Sequence, residues 1–301
     1  MSMTLSPILQ VCIVPMSFYP FDALPSRARR ITFLLRASHP EPALAVTSFI
    51  TALAVGAGRG TSGAAAVAMA VLTGQLSVGW CNDAIDAGRD RTCGRRDKPV
   101  GTGELPAQAA ATAAVAAFAM CVPLSLLSGV AAAAVHLTGV AAAWAYNGVL
   151  KRTALSPLPY AVAFGLVPAF VTLGLPTPAW PAWWVMAATA LLGVGGHVAN
   201  VLPDIDDDLT TGVRGLPQRL GRPICQWLAP LAMLTAMGVV TVGPHAHVSL
   251  WDGVLGPAAV IVAVTGTTAP AGTGRRWPSR AAMIVGGIVV IQLLRRSADM
   301  V

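Results

Sequence analysis

The chain has 301 residues, of which 55% are hydrophobic and only 11% charged. Soluble domains are about a quarter charged, so this composition excludes an ordinary water-soluble fold and points to a bilayer. The formal net charge of +7 does not indicate nucleic acid, because the basic residues sit in short loops between apolar runs, where the positive-inside rule accounts for them. The five cysteines (Cys12, Cys81, Cys93, Cys121 and Cys225) are odd in number, scattered and without metal-site spacing.

Residues 1–30 are moderately apolar and then basic, with Arg27, Arg29 and Arg30. A secretory signal carries its positive charge before its apolar core, the reverse of this order. A cytoplasmic arm is expected here, followed by one transmembrane domain over 31–301. Nine apolar segments follow, at about 40–58, 62–83, 106–127, 130–150, 157–175, 180–202, 223–242, 249–270 and 280–296, each near the ~20 residues that span a bilayer. The expected fold is an all-α polytopic membrane bundle of two four-helix halves plus a ninth helix. Abundant Ala and Gly suit close helix approach in lipid. With the N-terminus inside, the arm and the loops after helices two, four, six and eight hold 17 of the 20 Lys and Arg residues; Arg59, Arg295 and Arg296 are the exceptions. This bias places the N-terminus in the cytoplasm and the C-terminus outside; in a bacterium the membrane would be the plasma membrane.

Two acidic clusters stand out against this background. Asn82, Asp86 and Asp90 recur every four residues, so on a helix they share one face, with Asp83 beside them. Asn200, Asp204 and Asp208 repeat the spacing, with Asp206 and Asp207 added. Seven of the thirteen acidic residues lie in these clusters, at the cytoplasmic ends of the second and sixth helices. Corresponding motifs in two halves place a site between the halves. A carboxylate at membrane depth costs about 2.5–3.5 kcal/mol on insertion scales, so the clusters demand a counter-charge, and a divalent cation is the natural one. Mg²⁺ prefers oxygen ligands and binds a few carboxylates together with substrate phosphate. The basic residues after each cluster, Arg91, Arg95, Arg96 and Lys98, then Arg214 and Arg219, together with Lys151 and Arg152, are candidates to share a diphosphate charge or are ordinary positive-inside residues.

The run Asn82-Asp83-x2-Asp86-x3-Asp90-Arg91, followed by Arg96-Asp97-Lys98-Pro99-Val100, resembles the first aspartate-rich motif of the UbiA superfamily of intramembrane prenyltransferases. Asn200-x3-Asp204 through Asp208, then Thr211-Gly212-x-Arg214-x2-Pro217, resembles the second motif and its loop, and Tyr146 through Arg152 resembles the Tyr…Lys-Arg segment between them. Tyr146 and Lys151 are separated by four residues, whereas many quinone-pathway members have three. The resemblance covers roughly 35–295. It implies Mg²⁺ and a prenyl diphosphate donor, whose group passes to an aromatic or other small lipophilic acceptor with release of pyrophosphate. Carried over residue by residue, Asn82, Asp86, Asp90, Asn200, Asp204 and Asp208 would form the metal–diphosphate site. Asp83 would support it or help position the acceptor, and Asp86 and Asp204 would be essential to turnover. Lys151, Arg95 and Arg214 would bind diphosphate, with Arg91 and Lys98 as further candidates.

Two other readings share these features. A terpene cyclase of the same superfamily needs the same metal site but no acceptor. A transporter or lipid-binding protein could use the acids for cation coupling, although it has no need of two matching triads followed by basic loops. Among the remaining polar residues, His197 reads as a histidine hydrogen-bonded between helices, and His245 and His247 as external loop residues.

Overall fold

The computed structural model describes residues 27–96, 98–243, 249–268 and 277–301. Most of the expected N-terminal arm, together with His245 and His247, lies outside them. Among the described residues there are helices and no strands. A first helix, α1 (Arg27–Ala37), turns at Ser38-His39 into α2 (Pro40–Gly56). Then come α3 (Gly60–Thr92), the single turn α4 (Pro99–Thr102), α5 (Ala107–Leu126) and α6 (Val130–Gly148). A 3₁₀ turn, Leu150–Arg152, leads to α7 (Leu158–Gly165) and α8 (Val167–Thr172), which together form one apolar segment broken ahead of Pro168. The second half continues with α9 (Trp183–Val201), a 3₁₀ turn (Leu202–Asp204), α10 (Ile205–Thr210), α11 (Leu216–Leu220), α12 (Arg222–Val242), α13 (Leu250–Thr267) and α14 (Trp277–Arg295).

The nine expected segments are thus α2, α3, α5, α6, α7–α8, α9, α12, α13 and α14, and six of the helical stretches are long and apolar enough to cross a membrane by length and composition. Consecutive segments pack side by side, and α14 returns to α2, closing a ring. Small residues make this closeness possible. Ala110, Ala114, Ala117, Cys121 and Ser125 form the buried stripe of α5 that meets α3. On α9, a Cβ at Gly193 would stand 2.5 Å from the Tyr160 carbonyl oxygen, so only glycine admits α7 there.

The structure bears out the helical first motif and departs from the sequence expectation at the second. α3 runs past the apolar segment to Thr92, 33 residues in all, and carries Asn82, Asp86 and Asp90 on unbroken helix, as their spacing predicts. The second motif is not one helical face. Pro203 lacks the amide hydrogen that continues a helix, and the chain passes from α9 through the 3₁₀ turn into α10 between Asn200 and Asp208.

Candidate active site

The first motif is buried and cross-paired. Asp83, Asp86 and Asp90 are each 2% exposed or less. An uncompensated charge there is prohibitive, and the chain supplies its own cations. Lys151, delivered by the 3₁₀ turn after α6, bonds Asp86. Lys98, ahead of α4, reaches Asp83 at 2.9 Å, Asp90 at 3.2 Å and the side-chain Oδ1 of Asn82 at 3.3 Å. Burial disfavours the Lys98 charge, but Asp83 and then Asp90 overcome it and hold its ammonium above the ordinary lysine range. For Lys151, burial outweighs Asp86 and lowers the pKa.

The second motif sits at the rim. Asn200 is exposed, Asp204 is half-buried and faces Arg95 at 3.9 Å, and Asp208 accepts a 2.8 Å hydrogen bond from Gln218 of α11. The link between the motifs is Arg89, which the sequence spacing did not single out. One of its terminal nitrogens donates to Asp86 at 3.2 Å and lies 3.7 Å from Asp90, while the other donates to Asp208 at 3.3 Å. The two motifs therefore stand one guanidinium apart. The structure does not bring in Arg91 and Arg214, which are exposed and make none of the contacts that tie the cluster. Asn147 was also missed; it donates to the Val78 carbonyl oxygen at 3.0 Å and accepts from Asn82 at 3.3 Å.

Below this amide pair lies a partly open pocket lined by α2, α3, α6, α7 and α8. Ile50, Val78, Ala143, Phe164 and Phe170 are among its apolar walls, with Gln75 and His136 as polar residues. Val78 is one helical turn from Asn82 and two from Asp86, so the carboxylates crown an apolar chamber. His197 on α9 is buried, bonds Ser156 in the loop ahead of α7 at 3.1 Å and lies within 5.4 Å of the Tyr146 and Tyr160 rings, so its hydrogen bond joins a helix to a loop and not two helices.

The carboxylates suit Mg²⁺ by donor chemistry. Among the described residues no group of three or more His, Cys, Asp or Glu side chains stands in position to hold a metal ion by itself. Mg²⁺ does not require one, because it keeps several waters and takes substrate phosphate oxygens beside one or two carboxylates. Arg89 bridges Asp86 and Asp208 at 3.2 and 3.3 Å, and the buried Asp90 Oδ2 is held only by the Lys98 ion pair at 3.2 Å, so these hard anionic oxygens are balanced by chain cations. The donor set fits the metal.

Comparison with known proteins agrees with this fold. The model of the UbiA prenyltransferase family matches residues 43–285. No curated protein sequence matches the chain. Among solved structures, one described as digeranylgeranylglyceryl phosphate synthase is similar with a TM-score of 0.66 and 12% identity, covering 90% of this chain and 99% of that one. A UbiA homologue from Archaeoglobus fulgidus bound to GPP and Mg²⁺ is similar with a TM-score of 0.64 and 15% identity, covering 89% and 100%. An apo UbiA homologue from Aeropyrum pernix K1 gives 0.59 and 16%, covering 88% and 98%. At these identities the structural likeness concerns the fold.

Proposed function

The chain belongs to the UbiA prenyltransferase family, and from that premise we propose that it transfers an isoprenyl group from a prenyl diphosphate to an aromatic or other small lipophilic acceptor, releasing pyrophosphate. The observation that carries the reading is the pairing of the two aspartate motifs across one guanidinium at the head of an apolar chamber. A diphosphate needs concentrated positive charge and an isoprenyl tail needs a dry lining, and the two environments meet at Asn82. The Archaeoglobus fulgidus relatives bound to GPP or DMAPP with Mg²⁺ hold ligands of the class proposed for this chain.

Asp86, Asp90, Asp204 and Asp208 would hold Mg²⁺, with Asn82 and Asn200 at the margins of the site. Mg²⁺ held there would supply charge neutralisation for a diphosphate leaving group. Lys151 and Arg89 now spend their charge on Asp86, and they would turn it to the diphosphate oxygens when a cation takes over that carboxylate. Arg95 approaches from the rim, and Arg91 and Arg214 stand outside to meet an incoming anion. Lys98 would keep Asp83 and Asp90 charged in place. The apolar walls below would exclude the water that quenches an allylic cation. In this reading the site opens to the cytoplasm.

The test is incubation of the protein in nanodiscs with Mg²⁺ and C10, C15 and C20 prenyl diphosphates, first alone and then with a panel of phenols, reading products by mass spectrometry and pyrophosphate release. Acceptor-dependent prenylated product, stopped reversibly by EDTA, is the expected result. A cyclic terpene formed from the diphosphate alone would replace transfer by cyclisation, and absence of turnover in both arms would refute prenyl chemistry.

A further inference from the structure

We propose that His39 receives the proton that the acceptor loses on prenylation, with Asp83 as the carboxylate that orients the ring and balances its charge; this role rests on the prenyl-transfer reading above. His39 stands at the turn between α1 and α2, and its Nε2 lies 2.9 Å from Asp83 Oδ1. The two side chains differ sharply in environment: Asp83 is 1% exposed and His39 39%. One ring nitrogen is therefore tied to the buried carboxylate while the side chain as a whole stays partly exposed. With Nε2–H donated to a carboxylate, neutral imidazole leaves its lone pair on Nδ1, which is the arrangement of a base aimed by an acid.

The backbone supports a built position. His39 has φ 53° and ψ 64° and is the one non-glycine with positive φ among the described residues. Left-handed backbone at a side chain of this size persists only where the surroundings impose it, and such outliers gather at functional sites. Here α3 imposes it. A Cβ at Gly79 would stand 2.5 Å from the Ser38 carbonyl oxygen, so only glycine lets the turn lie against the helix. Trp80 Nε1 donates to the Leu34 carbonyl oxygen at 2.7 Å, and Asp83 lies one turn further along. The charged groups against the dyad are Asp83 itself and Lys98, which shares Asp83 Oδ1 at 2.9 Å and reaches on to Asp90. Asp83 Oδ2 is buried and accepts no hydrogen bond, so the carboxylate has capacity for a second donor when the ring becomes cationic.

The chemistry balances. The bond between donor C1 and the diphosphate oxygen breaks and its electron pair leaves with pyrophosphate. The nucleophilic atom of the acceptor bonds to C1, and the acceptor's proton passes to His39 Nδ1 and then to water.

Two variants separate this role from that of a structural clamp. Asn is tolerated in left-handed backbone and its amide can still donate to Asp83, yet it takes no proton. Gly is unstrained there and leaves room for free imidazole. With a phenol that the wild type prenylates, His39→Asn is expected to lose about a hundredfold in kcat while its Kd for geranyl S-thiolodiphosphate and its melting temperature stay near wild type. The loss should shrink on more acidic phenols, which arrive already ionised, and added imidazole should restore His39→Gly. Wild-type kcat in His39→Asn, or a loss that is uniform across phenols and not rescued by imidazole, would overturn the role and leave the transfer reading intact. A wild type that prenylates no acceptor would overturn both.

Discussion

At the scale of single residues, the carboxylates of the first motif are held by chain cations, and the bond from Lys151 to Asp86 makes the sharpest prediction. Both side chains are nearly fully buried, 4% and 2% exposed. Removing one member of such a pair leaves a bare charge in a low-dielectric setting, at a cost of about 3–5 kcal/mol. Lys151→Met is therefore expected to lower the melting temperature in detergent and to weaken diphosphate binding. Adding Asp86→Asn to it should recover much of the stability without restoring turnover. Double-variant stability no better than that of Lys151→Met alone would show that the pair is not what holds this corner. Asp204→Ala should abolish product formation while the protein remains folded, Asp86→Ala should abolish it with a lowered melting temperature because Lys151 is left unpaired, and normal activity in either would remove the metal site from the mechanism.

At the scale of elements, α3 is the organising strut, because it carries the first motif, one wall of the chamber and the seat for the α1–α2 turn. Arg89 joins it to α10, and that join competes with a divalent cation for the same oxygens. Arg89→Gln should therefore shift the Mg²⁺-dependent rise in melting temperature to lower Mg²⁺ concentration, and an unchanged midpoint would mean that the guanidinium does not stand where the metal binds. The nine apolar segments were legible in the sequence because hydropathy over about twenty residues reports burial in lipid directly. The helical continuation of α3 through the first motif was legible as well, from the four-residue spacing of Asn82, Asp86 and Asp90, although the motif's polar side chains end the apolar run. Pro203 was visible, but the four-residue spacing masked its consequence, and the second motif came out kinked and half-exposed. Asp86, Asp90, Lys98 and Lys151 were legible from composition and resemblance. Arg89, Asn147, Gln218 and His39 were not, since each acquires its meaning only from a partner distant in sequence or packed against it in space, and none belongs to a local pattern.

At the scale of the whole molecule, the orientation read from charge asymmetry remains a proposal that the exceptions to the bias bear upon. The three basic residues that violate the positive-inside bias are held by internal contacts. Arg59, 8% exposed, donates to Ser128 Oγ at 2.8 Å and to the Val171 carbonyl oxygen at 3.3 Å. Arg295 bonds Gln292 at 2.9 Å and lies 5.4 Å over the Trp251 ring, and Arg296 reaches the buried Asp252 at 3.1 Å. Charges tied into the fold in this way serve as internal braces, so they count little against the rule, and the bias of the remaining loops stands. The molecule supplies its own probe of the outcome. Cys93, just past the end of α3 at the motif end of the bundle, is exposed, whereas Cys81, Cys121 and Cys225 are buried. In a Cys12→Ser background, a membrane-impermeant maleimide should leave intact bacterial cells unlabelled and should label inverted membrane vesicles at Cys93. Labelling in intact cells would put the aspartate motifs on the outer face, where prenyl diphosphates made in the cytoplasm could not reach them without crossing the bilayer. That result would overturn the orientation and, with it, the route by which the donor enters the site.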